Sequence, residues 1–135
     1  MIKIRKINHI AIAVENIEQA LTFWQDALGL QLQHVENVTS QNAKVAFLPV
    51  GEGELELVQP TEKGTSLIKF LSEKGPGLHH ICIEVENIGL ALEELKSKGV
   101  RLINETPQEL PCRKMAFIHP KSSGGVLVEL YEITN

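Results

Sequence analysis

A chain of 135 residues, 43% hydrophobic and 22% charged, has the size and composition of one ordinary globular domain with a substantial core. Its net charge of -4 offers no electrostatic footprint for nucleic acid or an anionic membrane. No apolar run approaches the ~20 residues that span a bilayer, and the basic opening Met1–Lys6 leads into no signal-peptide pattern.

Two cysteines, Cys82 and Cys112, make no disulfide framework. The expectation is a cytoplasmic protein with neither a nucleic-acid nor a membrane partner.

Residues 6–14 alternate as a strand, with Ile7, His9, Ala11 and Ala13 on one face and Ile10, Ile12 and Val14 on the other. Asn16 reads as a helix N-cap, with Gln19 three positions on in the manner of a capping box. Ile17, Ala20, Leu21, Trp24, Ala27 and Leu28 then form an apolar stripe that stops at Gly29. A short strand is expected near 30–34, then strands near 44–48 and 54–58 around the turn Val50-Gly51-Glu52-Gly53.

Residues 60–65 read as a linker. Ser66 is the expected cap of a short helix over 67–74, whose Leu67, Ile68, Phe70 and Leu71 dock on the body. Gly75-Pro76-Gly77 ends that helix. A strand over 78–85 follows, then a helix capped by Asn87, with Ile88, Ala91, Leu92 and Leu95 inward and Gly99 as its stop. Strands near 100–103, 114–118 and 126–131 complete the chain, the last two joined by the turn His119–Gly125.

This second half repeats the first. Residues 78–92 align with residues 7–21 at an offset of 71, and nine of the fifteen pairs are identical. Such self-similarity marks a duplicated unit. Module one covers about 5–60, a linker and short helix about 61–76, and module two about 77–133. Each module opens on a strand that carries a histidine, His9 or His80. Each ends on a strand in which a glutamate lies between apolar neighbours, Glu56 or Glu129.

A single strand histidine usually packs or hydrogen-bonds, and a single strand glutamate usually faces water. The matched recurrence of both types argues for more. If the two modules curl around a shared hollow, His9, Glu56, His80 and Glu129 converge from four strands. Two imidazoles and two carboxylates suit a first-row divalent ion with positions left open.

Glu54 shares a face with Glu56 and is the rival ligand, but Leu127 stands at its place in module two. His79 faces away from His80 and reads as structural, and His34 has no repeat partner. Cys82 reads as a buried inert thiol and Cys112 as an incidental loop residue. Trp24 and its counterpart Leu95 are expected to be buried structural residues.

His9-Ile10-Ala11-Ile12-Ala13-Val14, with its helix and Leu28-Gly29-Leu30, resembles the opening of the vicinal oxygen chelate superfamily, which includes glyoxalase I. Four further stretches resemble its methylmalonyl-CoA epimerase family: 44–48, 54–60, 77–81, and His119-Pro120-Lys121-Ser122 leading into Gly125-Val126-Leu127-Val128-Glu129-Leu130. The likeness runs from about 7 to 132, and this last stretch is its most specific part. It implies an α+β fold of two paired βαβββ modules forming a curved sheet around a metal site. The family's ligands fall on His9, Glu56, His80 and Glu129, the four that the repeat selects.

Two departures stand out. The family often carries an acidic residue, assigned as a base, where this chain has Ser40 before Gln41. A glycine-containing loop is replaced by residues 108–114.

The function implied is proton abstraction and return at C2 of a methylmalonyl thioester, an acyl-CoA, by an isomerase. Glu129 and Glu56 are the catalytic candidates. Ser40, Gln41, His119, Lys121 and Ser122 are the substrate-binding candidates, and Lys121, Arg113 and Lys114 could meet CoA phosphates. Cobalt is the ion the resemblance favours, with manganese, nickel and zinc as alternatives, and the state it implies is a homodimer. The competing readings are a glyoxalase I, which moves a proton on a glutathione hemithioacetal, and a non-catalytic small-molecule-binding member of the same fold.

Overall fold

The computed structural model describes residues 1–135. Its eight strands are β1 (Ile4–Ala13), β2 (His34–Val38), β3 (Ala43–Val50), β4 (Gly53–Pro60), β5 (Gly77–Val85), β6 (Gln108–Leu110), β7 (Arg113–Ile118) and β8 (Val128–Ile133). They form one mixed sheet in the order β2-β3-β4-β1-β5-β8-β7-β6, with β5 and β8 parallel. The helices are α1 (Ile17–Leu21), α2 (Ser66–Lys74) and α3 (Ile88–Ser97).

The chain forms two compact units, one of Ile10–His79 and one of Met1–His9 with His80–Asn135. Each builds its core from the repeated positions. In the first unit Ile12, Val14 and Ile17 pack with Ala46, Leu48 and Leu57, with Ala20, Leu21 and Trp24 against them. In the second, Val85, Ile88, Ala91 and Leu92 pack with Ala116, Ile118 and Leu130, and Leu95 and Ile83 join them. The strand alternation and the helical stripe of each copy bury matching residues.

Each helix start is held twice. Asn16 Oδ1 accepts from the Gln19 N–H at 2.9 Å, and Asn87 Oδ1 from the Leu90 N–H at 3.0 Å. The first helical N–H goes to the closing strand: Ile17 N–H donates to Gln59 Oε1 and Ile88 N–H to Glu132 Oε1, both at 2.8 Å. Gln59 and Glu132 each lie three residues beyond the matched glutamate. The repeat thus ties helix to final strand in both copies, satisfying donors that a helix start leaves open.

Several expected elements differ. The first helix widens into a π-helical turn over Thr22–Ala27, in which Leu28 N–H reaches Phe23 C=O at 2.8 Å. This wider turn rotates its later residues outward. Ala27 and Leu28 are exposed and Trp24 is half-buried, in place of the fully buried stripe expected. The strand expected near 30–34 starts only at His34. Leu30 and Leu32 pack on the core, but pairing with β3 opens at His34↔Phe47. Thr65, not Ser66, caps α2, its Oγ1 accepting from Ile68 N–H.

No strand forms over 100–103. Val100 and Leu102 pack on the core, and this segment meets the sheet through an isolated Leu102↔Ile118 bridge. Asn104 Oδ1 takes the Phe117 N–H at 2.8 Å, where a neighbouring strand would have supplied a carbonyl. The edge strand is β6, inside the segment first read as an altered loop. It turns into β7 through Pro111 and Cys112, with Cys112 at φ 64, a conformation that usually selects Gly or Asn.

Candidate metal centre

His9 ends the N-terminal stretch of its unit on β1, His80 lies on β5 and Glu129 on β8. β5 and β8 run parallel in register Cys82↔Glu129, which sets the carboxylate beside the strand of His80. Three donor atoms meet there. His9 Nε2 and His80 Nε2 are 3.3 Å apart, and Glu129 Oε1 is 3.3 Å from the first and 3.1 Å from the second. His9 and Glu129 are each 1% exposed and His80 is nearly buried.

The rings are held by aromatic neighbours. Tyr131 meets His9 edge-on at 5.3 Å between centroids, and Phe117 meets His80 at 5.5 Å. Phe117 stands opposite Glu129 in the β7–β8 register, and Phe47 stands opposite Glu56 in the β3–β4 register. The two glutamates are structural counterparts.

One ring's orientation is also fixed by hydrogen bonds. Asn8 Nδ2–H donates to Glu84 Oε1 at 3.2 Å, and Asn8 Oδ1 stands 2.8 Å from His9 Nδ1. An amide oxygen only accepts, so His9 Nδ1 is the donor of this pair, and the other ring nitrogen, Nε2, faces the Glu129 carboxylate. Burial works to raise the Glu129 pKa, but the two imidazoles, His80 first and then His9, outweigh it and bring it below 4.5. Glu129 is therefore ionised at neutral pH. Its other oxygen, Oε2, is buried without a hydrogen-bond partner.

Two imidazole nitrogens and a carboxylate oxygen this close can share one cation. A tetrahedral ion with bonds of ~2.0 Å sets its ligands ~3.3 Å apart, the separation these three atoms already have. The orphaned Oε2 gives the carboxylate a second oxygen for the same ion. The donor set fits a divalent metal. Cys82 is buried beside it, its sulfur within 4.8 Å of the His9 and Glu129 donors.

A family model described as the glyoxalase/bleomycin resistance protein/dioxygenase superfamily matches residues 8–117. Mouse mitochondrial methylmalonyl-CoA epimerase is 38% identical over 130 residues, 95% of this chain and 73% of the mouse protein. The chain belongs to this family of epimerases within the superfamily. The ethylmalonyl-CoA/methylmalonyl-CoA epimerase of Cereibacter sphaeroides is 34% identical, covering 96% of this chain and 99% of that protein. A solved methylmalonyl-CoA epimerase in complex with methylmalonyl-CoA and NH4+ superposes with a TM-score of 0.89 at 27% identity, covering 98% and 96% of the two chains.

The remaining candidates of the epimerase reading fall in different places. Glu56 lies on β4 in the Ile10–His79 unit, and Glu54 pairs with Pro49 near the turn that opens that strand. Ser40 and Gln41 close an exposed 3₁₀ turn over Thr39–Gln41, whose end is marked by Asn42 at φ 50.

His119 and Ser122 hold the turn before β8. His119 Nδ1 accepts from the Lys121 N–H at 3.0 Å, and Ser122 Oγ accepts from the Arg101 N–H at 2.8 Å. Lys121 is exposed, Arg113 lies over the Tyr131 ring, and Lys114 approaches Glu109 at 3.9 Å. His79 packs edge-on against Phe70 at 4.8 Å, in keeping with a structural residue.

Sequence reasoning passed over Asn8, Glu84, Gln59 and Glu132. The one legible signal was Glu84, a charged residue between Ile83 and Val85 where the first copy has Ala13.

Proposed function

We propose that this chain is a metal-dependent methylmalonyl-CoA epimerase, an isomerase that inverts C2 of the thioester by removing and returning its proton. The observation that carries the reading is the His9–His80–Glu129 donor triangle in a chain of this epimerase family. Glu56 is the proposed fourth ligand, supported by its register match with Glu129 against the two phenylalanines.

A divalent ion held by these residues would supply positive charge where the enolate's negative charge develops. Cobalt is the proposed ion, with manganese, nickel and zinc compatible with the same donors. Inversion needs a proton acceptor on one face of C2 and a donor on the other. Glu129 is the proposed base on one face, its carboxylate loosening from the ion to take the proton, since a metal-bound carboxylate is a poor base. Glu56, or a water held by Ser40 and Gln41, serves the other, since Ser40 stands where the family often has an acid.

Lys121, His119 and Ser122 are proposed to border the acyl-CoA, Lys121 as a phosphate contact. The same family reading carries a cytoplasmic homodimer, which sedimentation of the purified protein tests.

Deuterium wash-in at C2 of methylmalonyl-CoA is the deciding experiment, run on metal-analysed protein beside turnover of a glutathione hemithioacetal. Exchange with the thioester alone supports the proposal. Turnover of the hemithioacetal alone makes the protein a glyoxalase. Binding without exchange makes it a non-catalytic member of the fold.

A further inference from the structure

We infer that Asn8 and Glu84 form a hydrogen-bond relay that sets the tautomer of His9 and aims its Nε2 lone pair at the metal, making both positioning residues of the centre. The inference rests on the metal reading above and extends it to residues that touch no ion.

The relay begins at a carboxylate. Glu84 is only 8% exposed, in a strand whose neighbours include the fully buried Cys82 and Val85. Burying such a group is costly unless it is hydrogen-bonded, and its Oε1 accepts from Asn8 Nδ2–H at 3.2 Å. A carboxylate oxygen accepts and an amide nitrogen donates, so this bond alone decides which way the Asn8 amide faces. The amide oxygen is then turned to His9 Nδ1, 2.8 Å away, and must receive its proton. A neutral imidazole has one N–H, and with that proton spent on Asn8 its Nε2 is bare.

Each link leaves one choice for the next, and the chain ends on the atom 3.3 Å from both His80 Nε2 and Glu129 Oε1. Outer partners that orient a ligating histidine also raise its basicity. The relay joins the two copies, Asn8 from the first and Glu84 from the second. The repeat-related pair is His79 and Ala13, and alanine cannot anchor a side chain in this way.

The test has two readouts. The first is the His9 tautomer in metal-free protein, from long-range ¹H–¹⁵N spectra at alkaline pH where imidazoles are neutral. The relay requires Nδ1–H in the wild type and loss of that preference in Asn8→Leu. The second is cobalt affinity by chelator competition. Asn8→Leu should weaken it about 10–100-fold. Asn8→Asp should also weaken it, since two carboxylates then face each other. Adding Glu84→Gln to Asn8→Asp should restore most of the affinity, because the glutamine amide then donates to the aspartate, whose other oxygen still accepts from His9 Nδ1.

An Nε2–H tautomer in the wild type overturns the inference, as does Asn8→Leu protein with unchanged cobalt affinity. A wild type that takes up no ion refutes the metal centre instead, and the tautomer still decides the relay.

Discussion

At the scale of single residues, the proposed centre depends on donor atoms that already converge on one point. His9→Ala and His80→Ala each remove one of the three meeting atoms from a preformed sheet. Both variants should keep the wild-type circular dichroism. Their metal affinity should fall by more than the ~10–100-fold that outer partners of a ligand contribute. Full metal content in both would remove these histidines from the centre.

His119 makes a different residue-scale prediction. Desolvation first, then the charges of Arg101 and Lys121, push its pKa below the ordinary 6.5. The fold therefore favours the neutral ring, whose Nδ1 accepts the Lys121 N–H. The stability this gives is present above the unfolded value of 6.5 and fades as pH falls through the lower folded value. An NMR titration should place the His119 midpoint below 6.5, and a midpoint at or above it would contradict the acceptor role.

At the scale of elements, each module is closed by one side chain that runs from the final strand to the first helical N–H. Gln59 and Glu132 do the same work, but Glu132 adds a negative charge at the start of α3, worth about 0.3–1 kcal/mol with the helix dipole. Glu132→Gln should keep the bond and cost no more than that. Glu132→Leu leaves the Ile88 N–H without its partner and should cost about 1–3 kcal/mol in urea unfolding. Equal losses in the two variants would mean that charge, not the hydrogen bond, is what matters there. The π-helical turn belongs to this scale as well. It leaves Trp24 half-buried against the core of its unit, so less is lost by truncating it than full burial would imply.

At the scale of the molecule, the proposed metal would join residues 9, 80 and 129, which are far apart in the chain. Folding brings them together, so an ion that binds only the folded chain stabilises the whole. At a hundredfold excess over Kd the linkage is about 2.7 kcal/mol, on the order of 5–10 °C in Tm for a domain of this size. Chelation should lower Tm by that amount, and added cobalt should restore it. In His80→Ala protein the same additions should leave Tm almost unmoved. A wild-type Tm indifferent to chelator and cobalt would deny the ion any structural part.

The sequence by itself determined the duplication, because a repeat needs only identity at a fixed offset. From the repeat came the two histidines and two glutamates, both Asn caps, and the core positions of helix and strand that reappear in each unit. Local pattern reached no further where other forces chose the backbone. Leu30, Leu32, Val100 and Leu102 alternate like strand residues, yet they serve as core contacts, because apolar spacing reports burial and not which carbonyl an N–H will meet. The edge strand β6 hid in a polar segment, since its existence rests on pairing with β7.

The tertiary structure alone decided that His9, His80 and Glu129 stand 3.1–3.3 Å apart. It also decided that Asn8 and Glu84 stand behind His9. Those two lie 76 residues apart, one in each copy, and the repeat-related pair is His79 and Ala13. Only the folded chain brings an amide and a carboxylate that distant into hydrogen-bonding distance, and hydrogen bonds of that reach leave no period in a sequence.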